Sequence, residues 1–123
     1  MGTYVSLVWD DGSKVDNENF ESVFKWSSYP GDLDNELIDK HPELAKFGSN
    51  FDFNILKSFE KWLENLAFFV KYVSPSEWKK YCSWYTPEQA LESIKDDLKW
   101  VKSAFYHAKQ LETEGKNPRL SIG

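Results

Sequence analysis

Residues 55–73, ILKSFEKWLENLAFFVKYV, contain the strongest pattern in the chain. Apolar residues recur there at intervals of three and four, which is the period of a helix with one buried face. The stripe consists of Leu56, Phe59, Leu63, Leu66, Val70 and Val73, and Ile55, Trp62 and Phe69 widen it. Because the apolar face is so broad, the pattern predicts a helix of about twenty residues at the centre of the core.

A second long helix is predicted further along the chain. Residues 74–77, Ser-Pro-Ser-Glu, and residues 86–89, Thr-Pro-Glu-Gln, each place a hydroxyl N-cap before a proline at the first helical position. A short aromatic helix is predicted to begin after Ser74, and a long helix that ends at Gly115 is predicted to begin after Thr86. The apolar stripe of the long helix is Leu91, Ile94, Leu98, Val101, Phe105 and Ala108. Two such helices predict an antiparallel pair, although the same spacing also suits a coiled-coil dimer.

Both ends of the chain have the alternation of β-strands. Residues 4–9, YVSLVW, are β-branched or aromatic at most positions, and residues 119–123 alternate as well. A lone strand leaves its backbone groups unsatisfied, so we expect these two segments to pair. The sequence therefore predicts one α+β domain, residues 1–123, dominated by helices and completed by a small sheet of the N- and C-terminal strands.

The segment between the first strand and the central helix gives weaker signals. Asp16 and Asn17 are suitable N-caps, and Phe20, Val23 and Phe24 recur at helical spacing, which predicts a helix over residues 17–27. A shorter helix around Leu33, Leu37 and Ile38 is predicted to end before Pro42, because the residue before proline avoids the α region. One more turn is expected at Leu44 and Phe47, closed by residues 48–50.

Charge is unevenly distributed along the chain, whose net charge is −5. Residues 1–43 contain ten acidic side chains and three lysines, a net charge of −7, and the remaining residues carry +2. This balance argues against direct nucleic-acid binding, which needs a basic face, and favours a basic protein partner. The candidate partner-binding residues are Asp10, Asp11, Asp16, Glu18, Glu21, Asp32, Asp34, Glu36 and Asp39. A solvated acidic surface without a partner is the simpler alternative.

Catalytic and metal-binding motifs are not found in the sequence. Cys82 is the one cysteine, and neither His41 nor His107 stands at a zinc spacing or within a nucleophile motif. Residues 32–43 have acids at several calcium-loop positions, but Leu37 occupies the place where the loop needs glycine. We therefore expect no enzyme activity, metal or cofactor. Without a signal peptide, a membrane span or a disulfide pair, we expect a cytoplasmic protein.

Two stretches of the chain resemble the small immunity proteins encoded beside bacterial polymorphic toxins. They are residues 1–12, MGTYVSLVWDDG, and residues 84–90, WYTPEQA. Some of those families begin with a Met-Gly-aliphatic strand that runs into acidic residues, and they carry a Trp-x-x-Pro-Glu-x-Ala helix start further on. Residues 105–123 also look like the end of a widespread uncharacterised bacterial family. The first resemblance implies an inhibitory binding protein, and neither one transfers a functional residue.

The leading hypothesis is a non-catalytic inhibitor, of the toxin-immunity or phage type, that occludes a partner's active site with an acidic, aromatic-bearing face. The crowded aromatics Trp78, Tyr81, Trp84 and Tyr85 are the alternative interface, since tryptophan and tyrosine are favoured at hot spots. A structural or adaptor homodimer is the second hypothesis. A small-ligand binder or an enzyme is the third, and a pocket with converging polar groups would favour it.

Overall fold

The computed structural model describes residues 3–10, 18–26, 37, 39–45, 50–81 and 86–122. In these ranges three α-helices and four β-strands are defined, with 3-10 helices at Pro42–Ala45 and Phe53–Ile55. The helices are α1 (Leu56–Tyr72), α2 (Pro75–Tyr81) and α3 (Pro87–Thr113); the strands are β1 (Thr3–Asp10), β2 (Glu18–Trp26), β3 (Asn50–Asp52) and β4 (Arg119–Ile122). Helical residues outnumber strand residues, so the predicted helix-dominated α+β class is confirmed.

The predicted pairing of the two terminal strands is also confirmed. β1 and β4 are antiparallel, with Val5 opposite Ile122 and Leu7 opposite Leu120. All four side chains are buried, so this pairing places the alternating apolar residues of both strands in the core. The sheet is larger than expected, because its strand order is β2-β1-β4-β3 and the terminal strands form only its centre.

The helix predicted over residues 17–27 is wrong, since Glu18–Trp26 is strand β2, antiparallel to β1. The pairing register shifts after Val5, which leaves Val23 as an extra residue on β2. Such a bulge interrupts the two-residue alternation of a strand, so the apolar residues fall at a spacing that resembles one helical turn. Pairing also satisfies the backbone groups along the edge of β1 that β4 does not cover.

Two further differences concern the middle of the chain. Asn50 was expected to close a turn, but it begins β3, an edge strand too short to show alternation. The short helix before Pro42 is confirmed at Leu37, Asp39 and Lys40, and Pro42–Ala45 forms the expected further turn. The sequence also permits a short strand at residues 14–15 and a helix break at residues 27–31, and both segments lie outside the described residues. The structures predicted for the following residues lie outside them as well: Leu33, Ile38, Phe47, Gly48, Ser49, Cys82, Trp84 and Tyr85.

Helix α1 lies at the centre of the core, as its apolar stripe predicts. Phe59, Leu63 and Leu66 are completely buried, and α1 packs along α3. Near the start of α1, the ammonium of Lys57 lies 4.5 Å from the ring centroid of Phe105, which is in the last third of α3. This end-to-end correspondence is that of the predicted antiparallel pair.

The buried face of α3 is rotated from the predicted one. Leu98 and Phe105 are only partly buried, although the sequence places them in the core. The buried positions are Ala90, Ile94, Val101, Ala104, Ala108 and Leu111. The rotation follows from a second contact surface, because α3 packs against β1 and β2 as well as against α1. One acidic residue, Asp97, lies on the rotated face between Ile94 and Val101.

The predicted helix boundaries are confirmed by their hydrogen bonds. At the start of α3 the backbone N–H of Gln89 donates to Thr86 Oγ1 (3.2 Å), and the backbone N–H of Thr86 donates to Gln89 Oε1 (2.9 Å), a complete capping box. At the start of α2 the backbone N–H of Glu77 donates to Ser74 Oγ (3.3 Å). After α3, Gly115 has a φ of +80°, a conformation that glycine adopts without steric cost.

Candidate interaction surfaces

The predicted acidic face is only partly described. Five of its nine residues lie outside the described ranges, namely Asp11, Asp16, Asp32, Asp34 and Glu36. Glu18 and Glu21 are on β2, where the backbone register places Glu18 opposite Asp10 and Glu21 opposite Leu7. The structure therefore makes Asp10 and Glu18 cross-strand neighbours, at one end of the sheet.

Asp10 and Asp39 are the predicted acidic residues whose side chains are described, and their surroundings differ. The carboxylate of Asp10 accepts a hydrogen bond from Arg119 Nη1 at 3.3 Å, and this ion pair is only partly buried. Asp39 is exposed and lies next to Lys40 in the sequence. Asp10 is thus partly neutralised by a base from β4, which reduces its availability for a basic partner.

Trp78, the first residue of the alternative aromatic interface around α2, is not accessible to a partner. Trp78 is 4% exposed and belongs to the core, so it offers no surface to a partner. Of the other three predicted members, Trp84 and Tyr85 lie outside the described residues, and only the helical backbone of Tyr81 is described. Packing, rather than binding, accounts for Trp78.

Large aromatic side chains are nevertheless exposed elsewhere on the helix pair. On α1, Phe68 and Tyr72 are 68% and 66% exposed, and their ring centroids are 4.7 Å apart. The ammonium of Lys71 lies 5.5 Å from the ring of Tyr72. On α3, Trp100 and Tyr106 are also more than half exposed. Isolated exposed aromatics are ordinary, so their surroundings decide whether they have a role.

On α3 the surroundings of Tyr106 are basic. The residues are Lys95, Lys99, Lys102, Tyr106 and Lys109, here called the lysine stripe, and all are exposed. Their spacing of four, three, four and three places them on one face of the helix, and the same repeat reaches exposed Glu92 one turn before Lys95. Lys109 forms an exposed ion pair with Glu112 at 3.9 Å, but Lys95, Lys99 and Lys102 have no ion pair with any described residue.

A separate groove lies between α1 and the short helical segment that precedes Pro42. Its volume is about 200 Å³. The described residues that line it are Leu37, Lys40, Lys57, Ser58, Lys61, Trp62 and Asn65. Three of these seven are lysines and none is acidic. Behind the groove, His41 Nε2 and Ser58 Oγ lie 2.8 Å apart and form a hydrogen bond.

The buried face of α3 also contains an ionisable group. Burial raises the pKa of Asp97 from 3.8 to about 6, because desolvation disfavours the charged carboxylate. Asp97 is surrounded by apolar positions of α3 and lies on the opposite side of the helix from the lysine stripe. It therefore bears on stability, and it is not part of either surface described above.

Comparison of the chain with protein-family models, with curated proteins and with solved structures finds no match. Within the described ranges, no helix combines the length and the apolar composition needed to cross a membrane. In the same ranges, no three His, Cys, Asp or Glu side chains come together as a metal site could require. The surfaces of the described residues are therefore the basis on which a function is inferred.

Sequence reasoning missed both basic surfaces, for different reasons. The lysine stripe repeats along a helix that the sequence does predict, so the signal was present on the face opposite the apolar residues. The sequence alone could indicate only the part of the groove that lies on α1. Lys57 and Lys61 are one helical turn apart on α1, whereas Lys40 comes from a separate segment and is brought beside them by the fold.

Proposed function

We propose that this protein acts without catalysis, by binding an acidic protein partner through the outer face of α3. The observation that supports this most directly is the lysine stripe, in which Tyr106, 67% exposed, shares one helix face with four lysines, of which Lys95, Lys99 and Lys102 have no ion pair with a described residue. Exposed tyrosines with a charged surround are common at protein interfaces, where the ring is covered and the charges set orientation. Binding would occlude a functional surface of the partner, as the sequence-based hypothesis of an inhibitor requires.

Repulsion between the lysines of the stripe favours the binding of an acidic partner. Lys95 and Lys99 are separated by one helical turn, as are Lys99 and Lys102, and like charges at such positions destabilise a helix by about 0.2–0.5 kcal/mol per pair. A carboxylate of a partner placed between two of these lysines removes that repulsion. The stripe extends over about 21 Å at 1.5 Å per residue, which is the length of a docked helix of about four turns.

A protein partner is favoured over a nucleic acid by the charge of the rest of the chain. The net charge is −5, and residues 1–43 alone carry −7. A long polyanion would be repelled by that part of the chain, whereas a protein needs only one acidic patch opposite the stripe. Tyr106, which lies on the stripe itself, adds apolar area, which protein interfaces use in their centre.

A variant with reversed charges tests this proposal. Lys95→Glu/Lys99→Glu/Lys102→Glu reverses the centre of the stripe, and Lys79→Glu/Lys80→Glu reverses two exposed lysines of α2 as a matched control. Proteins captured from the native host by wild type are identified, purified and titrated against all three forms at two salt concentrations. We expect the purified partner to lose at least tenfold in affinity for the stripe variant and less than twofold for the control, with an on-rate that falls as salt rises.

Three outcomes would overturn the proposal. A partner that binds the stripe variant as tightly as wild type places the interface elsewhere. Binding to a nuclease-sensitive component, reproduced with a defined DNA or RNA duplex, replaces the protein partner with a nucleic acid. A stable dimer in light scattering, abolished by the stripe variant in the absence of other proteins, favours the homodimer alternative instead.

The acidic first third remains a second candidate interface, for a basic partner. The specific observation in its favour is that Asp10 and Glu18 lie opposite each other in the β1/β2 register. Such a cluster can occupy a basic cleft as a phosphate backbone would. Glu18→Lys reverses the residue opposite Asp10 and changes no residue of α3, so loss of binding in this variant alone would assign the interface to the acidic third.

A further inference from the structure

We propose that the groove between α1 and the segment at residues 37–40 is a binding site for a phosphate dianion. This inference does not depend on the proposed protein partner, because the groove involves other residues than the lysine stripe. Three lysines, Lys40, Lys57 and Lys61, line the groove together with Ser58 and Asn65. Among the described lining residues no carboxylate is present to neutralise them.

The lysines of the groove are brought together from two segments of the chain. Lys57 and Lys61 are one turn apart on α1, where two like charges repel each other, and Lys40 faces them from the segment before Pro42. The hydrogen bond between His41 Nε2 and Ser58 Oγ, 2.8 Å long, joins the two segments directly behind the groove. The fold therefore places three lysines around one groove, and an anion bound there offsets the repulsion between their charges.

The chemistry of the lining favours phosphate over a carboxylate. Lysine is a point charge with three donors, whereas recognition of a carboxylate usually employs the two parallel hydrogen bonds of an arginine. Three ammonium groups match the charge and the several terminal oxygens of a phosphate dianion better than a single carboxylate does. Asn65 can donate its side-chain N–H to a remaining oxygen, and Ser58 can donate its hydroxyl when His41 Nε2 carries a proton and donates to Ser58 Oγ.

The size of the groove limits what the phosphate can be attached to. At about 200 Å³ it is smaller than the roughly 300–1,000 Å³ of pockets that hold drug-sized ligands. A phosphoryl group with a few further atoms fits, and a whole nucleotide does not. The phosphate can belong to a small phosphomonoester or to a phosphorylated side chain of another protein, since both present the same dianion.

The test is a titration followed by amide ¹H–¹⁵N NMR at constant ionic strength. The probes are inorganic phosphate, glycerol phosphate and a short phosphoserine peptide with its unphosphorylated counterpart. Lys40→Gln/Lys61→Gln removes two charges of the groove, and Lys79→Gln/Lys80→Gln is the matched control on α2. Lys57 is left unchanged, because its ammonium also contacts the Phe105 ring at 4.5 Å. Melting curves of both variants establish that they are folded.

We expect saturable shifts at the amides of Ser58, Lys61 and Asn65, a loss of at least tenfold in affinity in the groove variant, and a change of less than twofold in the control. Tighter binding of the peptide than of glycerol phosphate assigns the site to a phosphorylated protein, and the reverse assigns it to a small metabolite-like ligand. Shifts that do not saturate, or that the groove variant leaves unchanged, would overturn the inference. Because the stripe lysines are intact in the groove variant, this failure is distinguishable from failure of the proposed function.

Discussion

Replacing Leu63 by alanine tests the assignment of α1 as the centre of the core. Leu63 is 0% exposed and belongs to the cluster that α1 forms with α3 and the sheet. Truncation removes three buried carbons, and at about 0.8 kcal/mol for each methylene the transfer term alone is roughly 2.4 kcal/mol. The cavity that remains adds to this, because neighbours on three elements cannot all move inward. We therefore expect Leu63→Ala to lower the free energy of unfolding by about 3–4 kcal/mol.

Equilibrium unfolding in urea is the appropriate measurement, with Glu64→Ala as the matched control. Glu64 is the next residue on the same helix and is exposed, so its replacement should change the free energy of unfolding by less than about 0.5 kcal/mol. The difference in intrinsic helix propensity between leucine and alanine is small and slightly favours the variant. A loss below about 1 kcal/mol for Leu63→Ala, or an equal loss for both variants, would refute the assigned helix face.

Two further predictions concern α3. Thr86→Ala removes half of the capping box and should cost about 1 kcal/mol in urea unfolding, a loss that Thr86→Ser should largely restore. Asp97, whose pKa burial raises to about 6, favours folding when protonated, so its contribution is complete below pH 3.8 and is lost as the pH rises through 6. Asp97→Asn should therefore gain stability relative to wild type with rising pH, by about 1 kcal/mol at pH 7 after allowance for its partial exposure. A difference between the two proteins that is constant from pH 4 to 8 would contradict this.

The parts of the fold that could be predicted are those in which local and tertiary preferences agree. The stripe of α1 and the caps at Ser74 and Thr86 each depend on neighbouring residues alone, and the structure confirms all three. The pairing of β1 with β4 connects the two ends of the chain, yet it could be inferred because these two segments both show the alternation of a strand. Burial of one alternating face on each strand then fixed the register.

The parts that could not be predicted depend on contacts between distant segments. In residues 18–26 the apolar side chains recur at the spacing of one helical turn, which predicts a helix. Hydrogen bonding to the edge of β1 makes the segment a strand instead. Likewise, a helical stripe predicts which residues are buried only when the helix has one neighbour. α3 has two neighbours, α1 and the sheet. Its buried face is therefore rotated toward the sheet, and Leu98 and Phe105 lie at the edge of the core.

The same rotation of α3 strengthens the case for a surface role of its opposite face. A helix that packs against both α1 and the sheet has a defined position, so the backbone from which the stripe lysines extend is fixed relative to the core. A fixed arrangement lowers the entropy that ordering a partner's contacts would otherwise cost. The acidic first third would bind a basic partner, and the lysine stripe would bind an acidic one. Salt weakens both complexes, so salt dependence alone does not distinguish them. Only the paired variants, reversed on α3 or on β2, separate the two, because each abolishes one attraction and leaves the other intact.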